Sequence, residues 1–326
     1  MGCTPGSFPR RSKVGRVLKV LNRRNVLVLR RLDLAFVDGV LGDEVGRGRP
    51  PTYRSQTKLR VLLLGWSFRE RFLTRIARLA SGLLGRVACL LRDKAPSHDV
   101  LTDFFHRLEG CVERVFAALV DRMSAAGLLG RVRAIDTTLV LAYKNDTLAS
   151  SNWDARRNRW AFGYSLLVVA DRDTHAVLAA RVRPTMSVPG DLAVAVCEDV
   201  RRRCGLDVLL GDSEFDTLAL DAWCRERDVL PVVLRNRRRF GKRDATKYRV
   251  QEWWDVGTWF LDRLYKQRVA VEQLFKGLKV DLGLEDVRLR GLDAVRVHAF
   301  LVLIWRDLQV LDAWMDGKRS LRSTMN

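Results

Sequence analysis

Three carboxylates of this 326-residue chain, Asp136, Asp212 and Glu272, have the type and setting that metal-assisted chemistry uses. Asp136 interrupts Arg133-Ala134-Ile135-Asp136-Thr137-Thr138-Leu139-Val140, whose residue types favour a buried strand. An acid there is costly unless it is paired, hydrogen-bonded or bound to a cation. Asp212 follows Leu209-Leu210-Gly211 at the end of a strand pattern, a position that also suits the cap of a following helix. Glu272 falls mid-way along a helix pattern. At about 100° per residue, and with Arg268 at zero, Tyr265 lies at about 60°, Glu272 at about 40° and Lys279 at about 20°. Leu264, Val271, Leu274 and Leu278 form an apolar stripe on the other side. Two readings of the polar face stand side by side. It is either solvated, with Arg268 and Glu272 as a surface pair worth about 0.3 to 0.5 kcal/mol, or the wall of a site. Two acids at strand ends and a third on a packed helix can bind two divalent cations, Mg²⁺ or Mn²⁺. Such ions activate a water or sugar hydroxyl and stabilise the leaving oxygen in phosphodiester cleavage. Arg268 and Lys279, with Lys276 on the same helix, would then hold phosphates, and Tyr265 would hydrogen-bond a backbone oxygen.

The elements that must position these groups follow from the patterns around them. β-type runs cover Val132 to Ala142, Trp160 to Ala170 and Ala176 to Val182, and Asp171-Arg172-Asp173-Thr174 joins the last two as a hairpin. A helix at Asp191 to Arg203, a strand at Asp207 to Leu210, a helix at Thr217 to Arg227 and a strand at Val229 to Leu234 come next. Two more helices, about Leu261 to Val280 and Leu292 to Trp314, follow. The predicted fold class is α/β, a mixed sheet flanked by helices over residues 131–315, with a tail at 316–326. Residues 1–130 read as an all-helical basic domain. Ser97 is placed to cap a helix reaching Leu108, either an ordinary packing helix or the reader of a helix-turn-helix.

Charge points to the partner. The chain carries a formal +20, with a pI near 10.5. The first sixty residues alone hold fourteen Lys or Arg against four Asp or Glu. That balance suits a polyanion, and nucleic acid is preferred over a membrane, because the longest apolar run, Ala299 to Trp305, is far short of the roughly 20 residues that span a bilayer. The six cysteines are scattered and the four histidines do not cluster, so neither a zinc site nor a disulfide framework is expected. With no signal-peptide pattern, the expected setting is cytoplasmic.

Between the last strand pattern and the Glu272 helix lies a basic stretch of about 235–260. It holds Arg235, Arg237, Arg238, Arg239, Lys242, Arg243, Lys247 and Arg249, then Trp253-Trp254. The arginines suit a DNA backbone; the tryptophans suit either a stacked base or the core.

Taken together these residues resemble the DDE transposases of bacterial and archaeal insertion sequences, specifically the insertion-sequence family four group and its relatives. The group's signature is Y-x2-R-x3-E-x6-K, and Tyr265, Arg268, Glu272 and Lys279 match its four positions and three spacings. The similarity extends to Ala134-Ile135-Asp136-Thr137-Thr138, to Phe162 through Asp171, and to Gly211-Asp212-Ser213-Glu214-Phe215-Asp216, covering roughly 130–310.

The resemblance implies an RNase H-like core with Asp136, Asp212 and Glu272 as metal ligands. It also implies cleavage at the ends of an insertion sequence and attack of a 3′-hydroxyl on target DNA, and joining two ends implies a homodimer. Two features depart from the family. Glu214 stands where members often have Gly, and the segment before Glu272 is too short for the β-rich insertion of better-known members, which argues against a hairpin-forming cleavage route. A stand-alone nuclease and a domesticated, non-catalytic DNA-binding protein are the alternative readings.

Overall fold

The computed structural model describes residues 23–42, 52–92, 94–143, 145–154, 158–184, 190–236 and 246–317. Before residue 131 these are helical: α1 (23–31), α2 (Phe36–Leu41), α3 (Ser55–Ser67), α4 (Leu73–Ser81), α5 (Leu83–Ala88), α6 (His98–Glu109) and α7 (Val112–Ala125). The chain then forms β1 (Val132–Leu141), β2 (Ser150–Asp154), β3 (Arg159–Asp171) and β4 (Val177–Arg183). After these come α8 (Gly190–Cys204), β5 (Val208–Gly211), α9 (Leu218–Glu226) and β6 (Leu230–Val233). Helices α10 (Thr258–Tyr265), α11 (Val269–Lys276) and α12 (Leu292–Met315) complete the described elements.

The strands make one six-stranded mixed sheet. β3 is antiparallel to β1 along one edge, and along the other to β4 and, further out, to β2. β1 runs parallel to β5, and β5 parallel to β6. β-branched and apolar residues give β1 and β4 their extended backbone. The parallel strands are nearly continuous in apolar character because helices cover both faces. The sequence placed these strands within one or two residues, apart from β2, a short Ser/Asn/Trp/Asp run without alternating hydrophobicity.

The β3–β4 hairpin is fixed by one buried aspartate. Asp171 Oδ1 accepts hydrogen bonds from the backbone N–H of Asp173 (2.9 Å) and Thr174 (2.8 Å) and from the Thr174 hydroxyl (2.9 Å). Its Oδ2 accepts from the Gly130 N–H (2.9 Å) and from the guanidinium of Arg133, and both side chains of that ion pair are fully buried. An unpaired charge there would be very costly, so each partner requires the other.

α12 is apolar nearly all round, the signature of a helix inside a core. It packs on α3, α6 and α7 on one side and on β4 on the other, so one hydrophobic core runs from the helical segment into the sheet. Within it, Asp307 accepts the Val177 N–H at 2.8 Å, and burial pushes its carboxyl well above the usual range. His298 is buried and driven down to about 3 by that burial and by Arg71, so it stays neutral while its Nε2 meets the Leu284 carbonyl.

α6 begins as expected, with Ser97 Oγ accepting the Val100 N–H. Its inner face buries Leu101, Phe104, Phe105 and Leu108, while its outer face carries His98, Asp99, Asp103 and His106. Acids on that face repel phosphate, and Arg107 is turned onto the carbonyls of Leu41 and Gly42. No helix among the described residues is long and apolar enough to cross a membrane.

Candidate active site

Asp136 lies mid-way along β1, opposite Val168 of β3. On the other side of β1 the parallel register pairs Ala134 with Leu210. Asp136 and Asp212 are each two residues beyond that pair, so both project from the same level of neighbouring strands. Asp212 also does what its position after a strand suggested: its Oδ1 accepts the Glu214 N–H at 2.8 Å and caps a short 3₁₀ turn, Ser213–Phe215. α11 packs on β1 through Val271, Leu274 and Phe275, and brings Glu272 over the strand ends.

Arg268 joins this set. One terminal nitrogen donates to Asp136 Oδ2 at 3.1 Å and the other to Glu272 Oε1 at 2.6 Å. The side chains of Arg268 and Asp136 are only 18% and 14% exposed, whereas that of Glu272 is 45% exposed. The Arg268–Glu272 pair is thus no solvated surface bridge, since its arginine is enclosed and shared with a second acid. Burial, and next the charge of Asp212, push the Asp136 carboxyl up to about 6; the Thr137 N–H and Arg268 pull the other way, and Glu272 raises it again. Burial opposes the charge on Arg268, but Asp136, Tyr265, Glu272 and Asp212 outweigh it and hold the guanidinium above its ordinary value.

The outer members of the set arrange themselves around this core. The Tyr265 ring lies 5.7 Å from the Arg268 guanidinium and packs edge-on to Tyr248, and burial is the main cause raising its hydroxyl. Glu214, the departure noted in the sequence, accepts the Thr137 hydroxyl at 3.3 Å, so it meets β1 one residue along from Asp136, at a side chain of the opposite face. Arg172, in the β3–β4 turn, donates to Gln267 Oε1 at 2.6 Å and so steadies the residue next to Arg268. The 95 positions between Arg172 and Gln267 give no sequence pattern that would reveal this contact.

The remaining candidate residues sit in varied settings. The helix predicted from Leu261 to Val280 is not uniformly α: Lys266–Arg268 is a 3₁₀ turn and Gly277–Asp281 a π turn. The change of pitch invalidates a single angular wheel, and Lys279 instead pairs with Glu285 at 2.9 Å. Lys276 is exposed. In the basic stretch the described cations are engaged within the protein: Arg235 with Glu252, Lys247 with Asp262, and Arg249 with Asp216. Arg237, Arg238 and Arg239 lie outside the described residues. Trp253 and Trp254 are half-buried against the core; Trp253 Nε1 donates to Asp221 at 3.0 Å and Arg225 lies over its ring. Among the described aromatics of this stretch Trp259 is the most exposed, at 73%, with Phe260 beside it at 45%.

The acidic residues offer hard oxygen donors, and a bound cation relieves the cost of burial and then of like charge that raises Asp136, so their chemistry fits Mg²⁺ or Mn²⁺. Among the described residues, however, no three acidic, histidine or cysteine side chains are grouped as a metal cage. The cation between Asp136 and Glu272 is Arg268.

A probable transposase for insertion sequence element ISH11 of Halobacterium salinarum, in strains R1 and NRC-1, is 29% identical over 221 residues, 66% of each chain. The match thus spans just under two thirds of that relative's length. Similar solved structures include a piggyBac transposase synaptic complex with hairpin DNA, at TM-score 0.45 and 10% identity over 91% of this chain and 76% of that one. A Mos1 transposase paired-end complex gives TM-score 0.24 and 12% identity over 86% and 90%. Residues 127–308, more than half of the chain, match the Transposase DDE domain, and the protein belongs to that family.

Proposed function

We propose that the protein is the transposase of an insertion sequence, cleaving DNA at the element's ends and transferring the 3′-OH strand to target DNA. The observation that carries this reading is that Arg268 bridges Asp136 of the sheet and Glu272 of a packed helix, with Asp212 on the strand next to Asp136 near enough for its charge to act on both Asp136 and Arg268. The sheet topology, β1 to β4 joined antiparallel with β5 and then β6 added parallel to β1, supports an RNase H-like core. The spacing of Tyr265, Arg268, Glu272 and Lys279 supports the insertion-sequence family four group. Residues 1–130 would form the helical DNA-binding part and 131–315 the catalytic part, with work at the chromosome in the cytoplasm and a homodimer joining two ends.

Asp136, Asp212 and Glu272 would hold Mg²⁺ or Mn²⁺, two ions in the full site, which supply Lewis-acid activation of the attacking oxygen and stabilisation of the leaving one. The chain's own residues do the rest. Burial of Asp136 and Arg268 excludes bulk water, so the charges act at full strength. Arg268, now on the Asp136 and Glu272 carboxylates, would meet a scissile phosphate brought to them, and its fork suits two phosphate oxygens. Tyr265 fixes the guanidinium's plane. Arg237, Arg238 and Arg239, with Lys276, would track the DNA backbone.

The test is a strand-transfer assay on duplexes carrying the element's terminal repeats. End-dependent joined product is expected; cleavage of any duplex without joining would favour a nuclease, and binding without either would favour a non-catalytic protein.

A further inference from the structure

Arg268 occupies the place that the proposed chemistry needs for a cation. Its two terminal nitrogens go to two different carboxylates, Asp136 from the sheet and Glu272 from α11, residues 136 positions apart in the chain. A guanidinium presents its N–H donors in a rigid planar fork, and a fork satisfied on both sides holds its two acceptors in one arrangement. In that arrangement the guanidinium carries the positive charge shared by the two carboxylates. A divalent cation bound to the same carboxylates would face the guanidinium's positive charge at contact distance, so the two compete. A phosphodiester, by contrast, offers the fork another pair of oxygens of the kind it prefers. The geometry also leaves a route out, since Glu272 is nearly half exposed while Asp136 is enclosed.

We infer that Arg268 is the resident counter-ion of the metal-free site and the element that couples DNA to metal. A DNA phosphate draws the guanidinium off Asp136 and Glu272, and the vacated carboxylates then take the divalent ion. The chain without DNA is thereby held in a low-affinity state for metal. This rests on the reading of Asp136, Asp212 and Glu272 as ligands.

The full chain is titrated with Mn²⁺, free ion being read by its electron paramagnetic resonance signal, so that no turnover is needed. Arg268→Ala is expected to bind Mn²⁺ about tenfold tighter than the natural chain, a coupling of ordinary size. Arg263→Ala, which removes an equal charge from the exposed side of α10, should stay within about twofold, because a distant surface charge is screened. In the reciprocal measurement, anisotropy of a labelled element-end duplex at fixed ionic strength, Mn²⁺ should tighten DNA binding several-fold in the natural chain and much less in Arg268→Ala. If Arg268→Ala fails to fold by circular dichroism, Arg268→Lys replaces it: the charge remains and the two-pronged grip is lost, so tighter Mn²⁺ binding by about threefold is expected. Unchanged or weaker Mn²⁺ binding in the folded variant, or tightening equal to that of Arg263→Ala, overturns the inference. Mn²⁺ binding that survives intact in both Asp136→Asn and Asp212→Asn overturns the ligand reading itself.

Discussion

Asp136 and Asp212 stand two residues beyond the same rung of the sheet, the parallel pair of Ala134 and Leu210, and so project side by side from neighbouring strands. That relationship makes two acids of very different local character into one unit. Removing a single charge from the unit, by Asp136→Asn, Asp212→Asn or Glu272→Gln, is expected to lower end cleavage and strand transfer together. Loss of metal-borne stabilisation worth several kcal/mol corresponds to about 10³-fold or more in rate. Gel assays of both steps, with circular dichroism to show the fold intact, check this.

The same unit sets a pH dependence. Asp136 is raised from 3.8 to about 6 in the folded chain, so folding takes up a proton between those values. An acid that holds its proton more tightly when folded lowers stability above the folded value, and the penalty disappears below the unfolded one. In EDTA, Asp136→Asn should therefore be more stable than the natural chain at pH 7.5, by about 1 to 3 kcal/mol, with the difference closing towards pH 4. Thermal melts across that range measure it. Apparent affinity for the divalent ion should weaken as pH drops below about 6, because the ion must then displace the carboxyl's proton.

Asp171→Ala should be among the most destabilising changes in the sheet. It strands the fully buried Arg133 guanidinium and removes the acceptor of the hairpin's N–H groups. Breaking one side of a buried pair costs about 3 to 5 kcal/mol, read as a shift in denaturation midpoint.

Much of this was legible in the chain because apolar periodicity is local. β1, the hairpin and α12 announce themselves by runs of residues that only burial explains, and the site helix by its leucine stripe. Pairing is not local. Nothing in the spacing separates Lys279, drawn to Glu285 by a π turn, from Arg268, drawn to Asp136 across 132 positions. Trp253 illustrates the same limit: exposure of an aromatic depends on what reaches it, here the Asp221 carboxylate and the Arg225 guanidinium from α9.

Trp253→Ala should accordingly cost stability rather than DNA affinity, on the order of 2 kcal/mol for a half-buried indole with one hydrogen bond. Denaturant melts beside anisotropy on the same variant separate the two effects; a stable variant with weakened DNA binding would return Trp253 to the DNA surface.

DNA affinity as a whole should fall steeply with salt. Counterions released by about 6 to 10 phosphate contacts make a rise from roughly 50 to 200 mM cost about 10³ to 10⁵ in affinity. Titrations at several salt concentrations give the slope, and a flat response would remove the basic surface from the account.

α12 fills the centre from which the helical segment and the sheet both take their packing, and it is made late in the chain. During synthesis, then, neither part can close its core until residues 292–315 have left the ribosome. A chain interrupted before that point lacks the helix on which both parts pack, so such copies are expected to be degraded rather than to persist as a folded fragment.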